Sequence, residues 1–389
     1  MVPFAAVRIL LDYRPALRDR TGVGEYVHEL ARALAAPTAS AATDEIAVFT
    51  ASWKDRPSPQ LATDLPGVSV IDRRFPVRGL TWTWNRLQWP PVEWIAGAAD
   101  VVHAQSPLLI PSSRAAQVIT IHDLHFLSHP DRTEAEMRRD FPALVRTHAH
   151  RADHIVVPSH YAAAEVVRVL NVTRDRVTVC SPGAPGWASA VATDRAVSGG
   201  GGGGGGSILF VGTLDARKNI GGLLRAYTRL RVCRRDAPPL LLAGRVADAG
   251  RAEVARLKSK PLGSDIKVLG YVSNDERRDL YRTARMLVLP SFDEGFGLPV
   301  LEAMACGVPV VVSNRGSLPE VAGAAAIPVD PEDVEGIADE MERLLDQDAA
   351  TAAVSQGLAQ AARYTWAGSA CSAREAYRAA IAVHAARRS

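Results

Sequence analysis

The sequence is poor in lysine and in cysteine, its charge is nearly balanced, and it lacks a long apolar run. Only five lysines occur, Lys54, Lys218, Lys258, Lys260 and Lys267, so almost all positive charge is arginine. Lysine and arginine together number 45 against 42 acidic residues, a net charge of +3. The missing basic excess argues against nucleic acid as a partner, since a phosphate backbone selects for a strongly basic surface. Weak attraction to an anionic membrane stays open, and with it peripheral contact at an inner membrane face. The four cysteines, Cys180, Cys233, Cys306 and Cys371, lie far apart with no Cys-x-x-Cys pair. Neither a zinc site nor a disulfide framework is expected, and a reducing cytoplasm fits. The apolar stretch Val7–Leu11 runs straight into Asp12 and Arg14, so it reads as a buried strand rather than a signal peptide. No segment approaches the length of a bilayer span.

What is present is a rhythm of short β-branched runs alternating with helical patterns. The chain has 389 residues, which suggests two domains. Strands are expected at Val7–Leu11, Glu45–Thr50, Val68–Asp72, Asp100–Ala104, Gln117–His122, His154–Pro158 and Arg176–Ser181. A second set is expected at Ile208–Gly212, Leu240–Gly244, Ile266–Gly270, Met286–Pro290, Pro309–Ser313 and Ala326–Val329. Between them lie helical patterns such as Gly24–Leu34, Tyr161–Leu170, Gly221–Arg231 and Asn274–Thr283. Apolar runs separated by helices imply parallel sheets covered on both faces. The expectation is two doubly wound α/β domains, with ligands at the carboxyl ends of strands in a cleft between them. An uninterrupted glycine run, Gly199–Gly206, divides the two sets and reads as a flexible linker or a disordered surface insertion. The expected divisions are residues 1–190, a linker at 191–206, residues 207–365, and a C-terminal helix at 366–389 that packs back on the first domain.

The most informative stretch is Ser291-Phe-Asp-Glu294-Gly-Phe-Gly297-Leu-Pro299-Val-Leu-Glu302-Ala-Met-Ala-Cys-Gly307. A strand ends at Pro290, a glycine turn follows, and Pro299 suits the first position of a helix that Gly307 closes. Gly295, Phe296, Gly297 and Leu298 then offer backbone N–H groups at a helix N-terminus, which suits a diphosphate. Two carboxylates, Glu294 and Glu302, flank that turn. An ionised carboxylate accepts hydrogen bonds from vicinal hydroxyls, so one on a sugar and one on a ribose would hold a sugar nucleotide by both ends. Alone, Glu302 reads as an acid favoured by the helix dipole, and Gly295 and Gly297 as an ordinary turn.

The stretch from Glu294 to Gly307 resembles the Glu-x7-Glu segment of the retaining GT-B glycosyltransferases of family 4. Its continuation, Ser313-Asn-Arg-Gly316-Ser317-Leu-Pro319-Glu320-Val-Ala-Gly323, resembles the same family. The resemblance implies a GT-B fold: two Rossmann-like domains facing a central cleft, the first on the acceptor side and the second binding the donor. It implies that Glu294 contacts the donor sugar and Glu302 the ribose. In Gly212-Thr213-Leu-Asp-Ala-Arg217-Lys218-Asn219, Lys218 matches the family's phosphate-binding lysine. Thr213 stands where many members carry arginine, and Arg217 is a candidate replacement. On residues alone, Arg217 and Lys218 read as a solvated surface pair.

In the first half, Thr21-Gly22-Val23-Gly24 resembles the family's first glycine loop, which approaches the diphosphate; alone it reads as a tight turn. His122 resembles the family's active-site histidine, and Ser159 falls in a recurrent segment. Read without the resemblance, His122 ends a strand and Asp123 caps a turn. No role is assigned to Asp12, Arg14 or Arg20. Trp82, Trp84, Trp89 and Trp94, with Arg78 and Arg86, suit a membrane interface or an acceptor groove, but packing of the tryptophans inward is the preferred reading.

The resemblance thus implies transfer of a hexose, first mannose from GDP-mannose, to a hydroxyl of a saccharide or lipid-linked acceptor. Configuration would be retained, with no protein nucleophile, no cofactor and no divalent metal. The catalytic candidates are His122, Lys218 and Glu294. The alternatives are a sugar-nucleotide epimerase of the same fold and a catalytically silent nucleotide-sugar-binding protein. A nicotinamide-binding Rossmann protein is disfavoured, because no Gly-x-Gly-x-x-Gly follows the first strand.

Overall fold

The computed structural model describes residues 6–17, 20, 22–37, 44–128, 141–197, 206–247, 250–251, 255 and 265–389. The chain divides into two compact units, Met1–Gly183 with Thr365–Ser389, and Ala184–Tyr364.

The first unit holds seven strands: β1 (Arg8–Asp12), β2 (Glu45–Ala51), β3 (Val68–Arg73), β4 (Val101–Ala104), β5 (Ala116–Thr120), β6 (His154–Val157) and β7 (Val177–Val179). They form one parallel sheet in the order β3-β2-β1-β4-β5-β6-β7. Successive side chains of β1 go to opposite faces, as the pleat requires. Ile9 and Leu11 join one buried cluster and Leu10 the other. Because both faces are covered, inner strands such as β2, β4 and β6 are buried almost end to end rather than alternating, while the edge strand β3 is only partly buried. One face carries α1 (Gly22–Ala35) and the C-terminal helix (Trp366–Arg388). The other carries α2 (Val77–Arg86), α3 (Phe141–Arg151) and α4 (His160–Leu170).

Alanine spacing explains how the C-terminal helix sits so close to the sheet. Ala370, Ala373, Ala376 and Ala380 recur at three- and four-residue intervals on one side and are buried with Tyr377. Polar bonds fix the same helix along its length. Arg374 donates to the Leu34 carbonyl at 2.7 Å and pairs with Asp44 at 2.9 Å, while Arg387 pairs with Asp153 at 2.9 Å.

The tryptophan stretch corrects the expectation of inward packing. Only Trp84 is buried, whereas Trp82, Trp89 and Trp94 are exposed. The cause is helical geometry: Leu80 and Trp84, four residues apart, take the inward face of α2, and Trp82 falls on the opposite side.

The second unit comprises α5 (Ala188–Val197), β8 (Ser207–Val211), α6 (Ile220–Cys233), β9 (Leu240–Ala243), β10 (Ile266–Gly270), α7 (Asn274–Thr283) and β11 (Ala284–Leu289). It continues with α8 (Leu298–Ala305), β12 (Val310–Val312), α9 (Leu318–Ala322), α10 (Val334–Arg343) and α11 (Gln347–Ala361). The sheet is parallel, in the order β10-β9-β8-β11-β12.

Two expectations change here. Ala326–Val329 is not a strand; only Val329 makes a single bridge, to Ser313. Pro328 inside that run has no N–H to give a ladder. The linker expected at 191–206 is in part helix, because α5 ends only at Val197. Its Arg195 is buried and donates to the carbonyls of Tyr281, Arg282, Ala284 and Gly307 at 2.8–3.2 Å. The chain passes between units at Gly183–Ala184 instead, and glycines 199–205 of the run lie outside the described residues.

In both sheets the strand order reverses beside the first strand, between β1 and β4 and between β8 and β11. Loops leaving two strands that diverge in this way open a crevice at their carboxyl ends.

Candidate active site

In the second unit the crevice loops follow β8 and β11, and they carry Arg217, Lys218 and Glu294. The first loop is braced from within. Asp215 accepts from the Lys218 backbone N–H at 2.9 Å, and Asn219 caps α6 by accepting from Gly222 at 3.1 Å. The second loop is tied to it by the Phe292 N–H, which donates to the Arg217 carbonyl at 2.8 Å.

Side chains then close the centre. The Lys218 ammonium donates to Glu294 Oε1. Arg217 Nη1 reaches Glu294 Oε2 at 3.3 Å and the Asp293 carbonyl at 3.1 Å. Both Glu294 and Lys218 are buried. Burial alone would push the Glu294 carboxyl up, but the charges of Lys218 and Arg217 outweigh it and hold the pKa below the ordinary carboxylate value. At neutral pH the centre is one carboxylate between two cations.

A turn after β12 fixes the Glu294 backbone. The Ser317 N–H and hydroxyl both donate to the Glu294 carbonyl, at 3.0 and 2.9 Å. Gly316 has φ +62°, and a Cβ there would lie 2.7 Å from the Glu294 nitrogen, so only glycine fits. Gly297, at φ +91°, is the residue before α8, and Pro299 takes the second helical position rather than the first. Gly295, Phe296, Gly297 and Leu298 thus form the entry to α8. The Phe296 ring itself is buried edge-on against Tyr364, with centroids 5.5 Å apart.

Glu302 lies one turn further into α8 and is also buried. Tyr281 donates to its Oε2 at 2.9 Å, and Arg277 sits 3.3 Å from its Oε1. Tyr281 stacks on Trp187, whose ring also faces the Arg277 guanidinium. Burial, with the Glu302 charge beside it, raises the Tyr281 pKa well above its ordinary value, so it stays a donor. The sequence assigns no role to Arg277 or Tyr281, and Ser317 figures there only within the family-like continuation. The available signals were the four-residue spacing of Arg277 and Tyr281, which puts them on one face of α7, and the serine after a turn glycine.

In the first unit, Gly22 and Gly24 lie in the first turn of α1. His122 lies two residues beyond β5, not within it. Its ring meets Tyr26 of α1 edge-on at 5.4 Å, which brings His122 to the same helix end as the two glycines. Burial lowers the His122 pKa to about 4 despite the nearby Asp123, so its ring is neutral. Its Nε2 is shielded from solvent and has no hydrogen-bond partner among the described residues. Behind it, His103 is buried between Tyr377 at 2.9 Å and Thr120 at 2.7 Å. Ser159 caps α4 by accepting from Ala162 at 3.0 Å, and Asp123 accepts from the His125 N–H at 3.2 Å. Asp12 and Arg14 form a two-pronged pair at 2.7 and 2.8 Å.

Residues 20–185 match the family model described as Glycosyltransferase Family 4, and residues 205–347 match Glycosyl transferases group 1. Over 377 residues the chain is 30% identical to the O-antigen chain mannosyltransferase B of Escherichia coli, covering 92% of this chain and 96% of that protein. The chain belongs to the family 4 glycosyltransferases. It is also 33% identical over 268 residues to the serotype-specific mannosyltransferase WbdA of Escherichia coli, covering 65% of this chain but only 32% of WbdA.

Among solved structures, this family 4 glycosyltransferase is similar to sucrose-phosphate synthase from Thermosynechococcus elongatus. The TM-score is 0.74 at 21% identity, over 96% of this chain and 98% of that one. It is also similar to Anabaena Alr3699/HepE in complex with UDP and glucose, with a TM-score of 0.68 at 14% identity over 95% and 98% of the two chains. These likenesses show the fold, GT-B. Within the enzyme, the family 4 match spans Gly22, Gly24 and His122, and the group 1 match spans Arg217 through Glu302.

Proposed function

We propose that this glycosyltransferase is a retaining mannosyltransferase that moves mannose from GDP-mannose to a hydroxyl of a saccharide, free or lipid-linked. The observation that carries the reading is the Glu294 carboxylate fixed between Lys218 and Arg217 at the entry to α8. The mannosyl choice is supported by the relatives named as mannosyltransferases.

In this reading the donor diphosphate draws Lys218 and Arg217 toward itself, and Glu294 turns to the hydroxyls of the sugar. The bond from the anomeric carbon to the diphosphate oxygen breaks, and the bond to the acceptor oxygen forms on the same face. The departing phosphate oxygen takes the acceptor proton. Charge on the leaving group is met by the two cations and by the positive end of α8. These groups take the place of a divalent metal, and Arg217 replaces the arginine missing at Thr213. Turned to the sugar hydroxyls, Glu294 serves as a hydrogen-bond acceptor rather than a nucleophile, so this reading has no glycosyl-enzyme intermediate. A ribose at Glu302 would join or displace Arg277. His122, a neutral imidazole with an unbonded Nε2, is the acceptor-side group and would polarise a sugar hydroxyl.

Turnover of GDP-mannose with a mannosyl oligosaccharide, followed by proton NMR of the product, tests this. The expected product keeps the donor's anomeric configuration, at a rate unchanged by EDTA. An inverted product, a rate abolished by EDTA, or turnover only of another nucleotide sugar contradicts the reading.

A further inference from the structure

The segment between β3 and β4 places aromatic surface where solvent reaches it. On α2, Leu80 and Trp84 go inward; Trp84 is 2% exposed, beside Phe49 and under the Arg14 guanidinium, 5.0 Å from its ring centroid. The opposite face carries Arg78, Trp82 and Arg86 at four-residue spacing, all exposed. Trp82 is 58% exposed, and beyond the helix Leu87, Trp89 and Trp94 are 58%, 54% and 71% exposed. Trp89 and Trp94 pack edge to face with centroids 5.9 Å apart, so they present one aromatic surface rather than two scattered rings. Clustered exposed aromatics of this kind mark an interaction surface.

Within the segment itself basic residues outnumber acidic ones. From 73 to 96 the sequence holds Arg73, Arg74, Arg78 and Arg86 against the single acid Glu93. The Glu93 carboxylate is engaged by Ser112, Ser113, Arg114 and Ala115, through the Ser112 hydroxyl at 2.6 Å and three backbone N–H groups. Hydrogen bonding by Ser112 and by these backbone groups overcomes the effect of burial and holds its pKa below the ordinary value. The patch is therefore apolar and net positive.

We propose that this surface seats the first unit on an anionic lipid bilayer, with Trp82, Trp89 and Trp94 in the headgroup layer and Arg78 and Arg86 facing lipid phosphates. An indole combines an apolar body with one N–H donor, which suits a boundary between hydrocarbon and water. Guanidinium groups match phosphate oxygens in forked geometry. The groups a neutral saccharide would use beside the rings are in part engaged within the fold, Gln88 by the Trp84 carbonyl and Glu93 by Ser112 and the N–H groups of residues 113–115, and the charged side chains on the exposed face of α2 are arginines. Contact lies in the interface plane, as for an amphipathic helix. Among the described residues no helix is long and apolar enough to cross a membrane. The inference stands apart from the sugar-transfer reading, because binding is measured without donor or acceptor.

Flotation of the full chain with vesicles tests it, comparing phosphatidylcholine alone with a mixture containing phosphatidylglycerol. Binding is expected to the mixed vesicles only, with blue-shifted tryptophan emission. Joint Arg78→Glu and Arg86→Glu substitution is expected to lower the bound fraction about tenfold, as added salt also does. Joint Trp82→Ser, Trp89→Ser and Trp94→Ser substitution is expected to abolish binding, with the thermal unfolding midpoint unchanged. Absence of binding to the mixed vesicles, or equal binding by the arginine pair variant, overturns the proposal. So does an emission shift with a soluble oligosaccharide but none with vesicles. A change of mass in the tryptophan variant by light scattering, without loss of vesicle binding, reassigns the patch to a subunit contact.

Discussion

Glu294 is held at both ends, its side chain by Lys218 and Arg217 and its carbonyl by Ser317. Replacing it with glutamine keeps the shape but strands two cations in a mostly buried site. Glu294→Gln is expected to lower kcat/KM by about 10²–10³-fold in an initial-rate assay. It is also expected to cost about 3 kcal/mol in denaturant unfolding, because one partner of a buried pair is lost. Gly316→Ala tests the backbone half of the same grip. Its methyl must displace the Glu294 nitrogen, so kcat should fall while all three charged side chains remain. An unchanged kcat would show that the turn is dispensable. Glu294 is marked in the sequence by its glycine turn, whereas Arg217 and Lys218 read locally as a solvated pair and join it only through the family resemblance; the fold brings the three side chains together. Arg277 and Tyr281 are not marked, because they reach Glu302 from α7, some twenty residues earlier in the chain and across β11 in sequence, and no local pattern announces that contact.

Helices and strands were read with uneven success, for reasons that differ between elements. Apolar runs without proline, such as Glu45–Ala51, became strands within a residue or two. The run at Ala326–Val329 failed on Pro328, and the tryptophan helix was misread because composition was weighed ahead of position around the helix. The glycine run signals flexibility by composition, but the crossing between units lies earlier, because Arg195 anchors the preceding helix through carbonyls that the sequence does not mark. The C-terminal helix offers a test of packing. Ala373 is fully buried against the first sheet, so Ala373→Leu is expected to destabilise by about 1–3 kcal/mol through overpacking. Tyr377→Phe removes a bond to the buried His103 and is expected to cost about 1 kcal/mol. Denaturant midpoints that match wild type would show that the helix is only loosely applied.

At the scale of the molecule, all ten histidines lie in the first unit. Burial pulls His28, His122, His148 and His154 down to about 4, and His103 to about 3, from the ordinary 6.5. Between pH 6.5 and those values the unfolded chain binds protons that the folded unit refuses. Stability is therefore fully present above pH 6.5 and falls as pH drops toward 4. Limited proteolysis at about pH 5 is expected to remove the first unit while a fragment near residues 184–364 persists. Equal survival of both units would contradict this.

The most direct test of the donor centre is calorimetric titration of GDP and GDP-mannose into the wild-type enzyme and into Lys218→Gln. Lys218 is expected to hold the phosphates, so both ligands should bind the wild type and both should weaken about tenfold or more in the variant. Equal affinity in the two proteins, or no binding of either ligand to the wild type, would contradict the account.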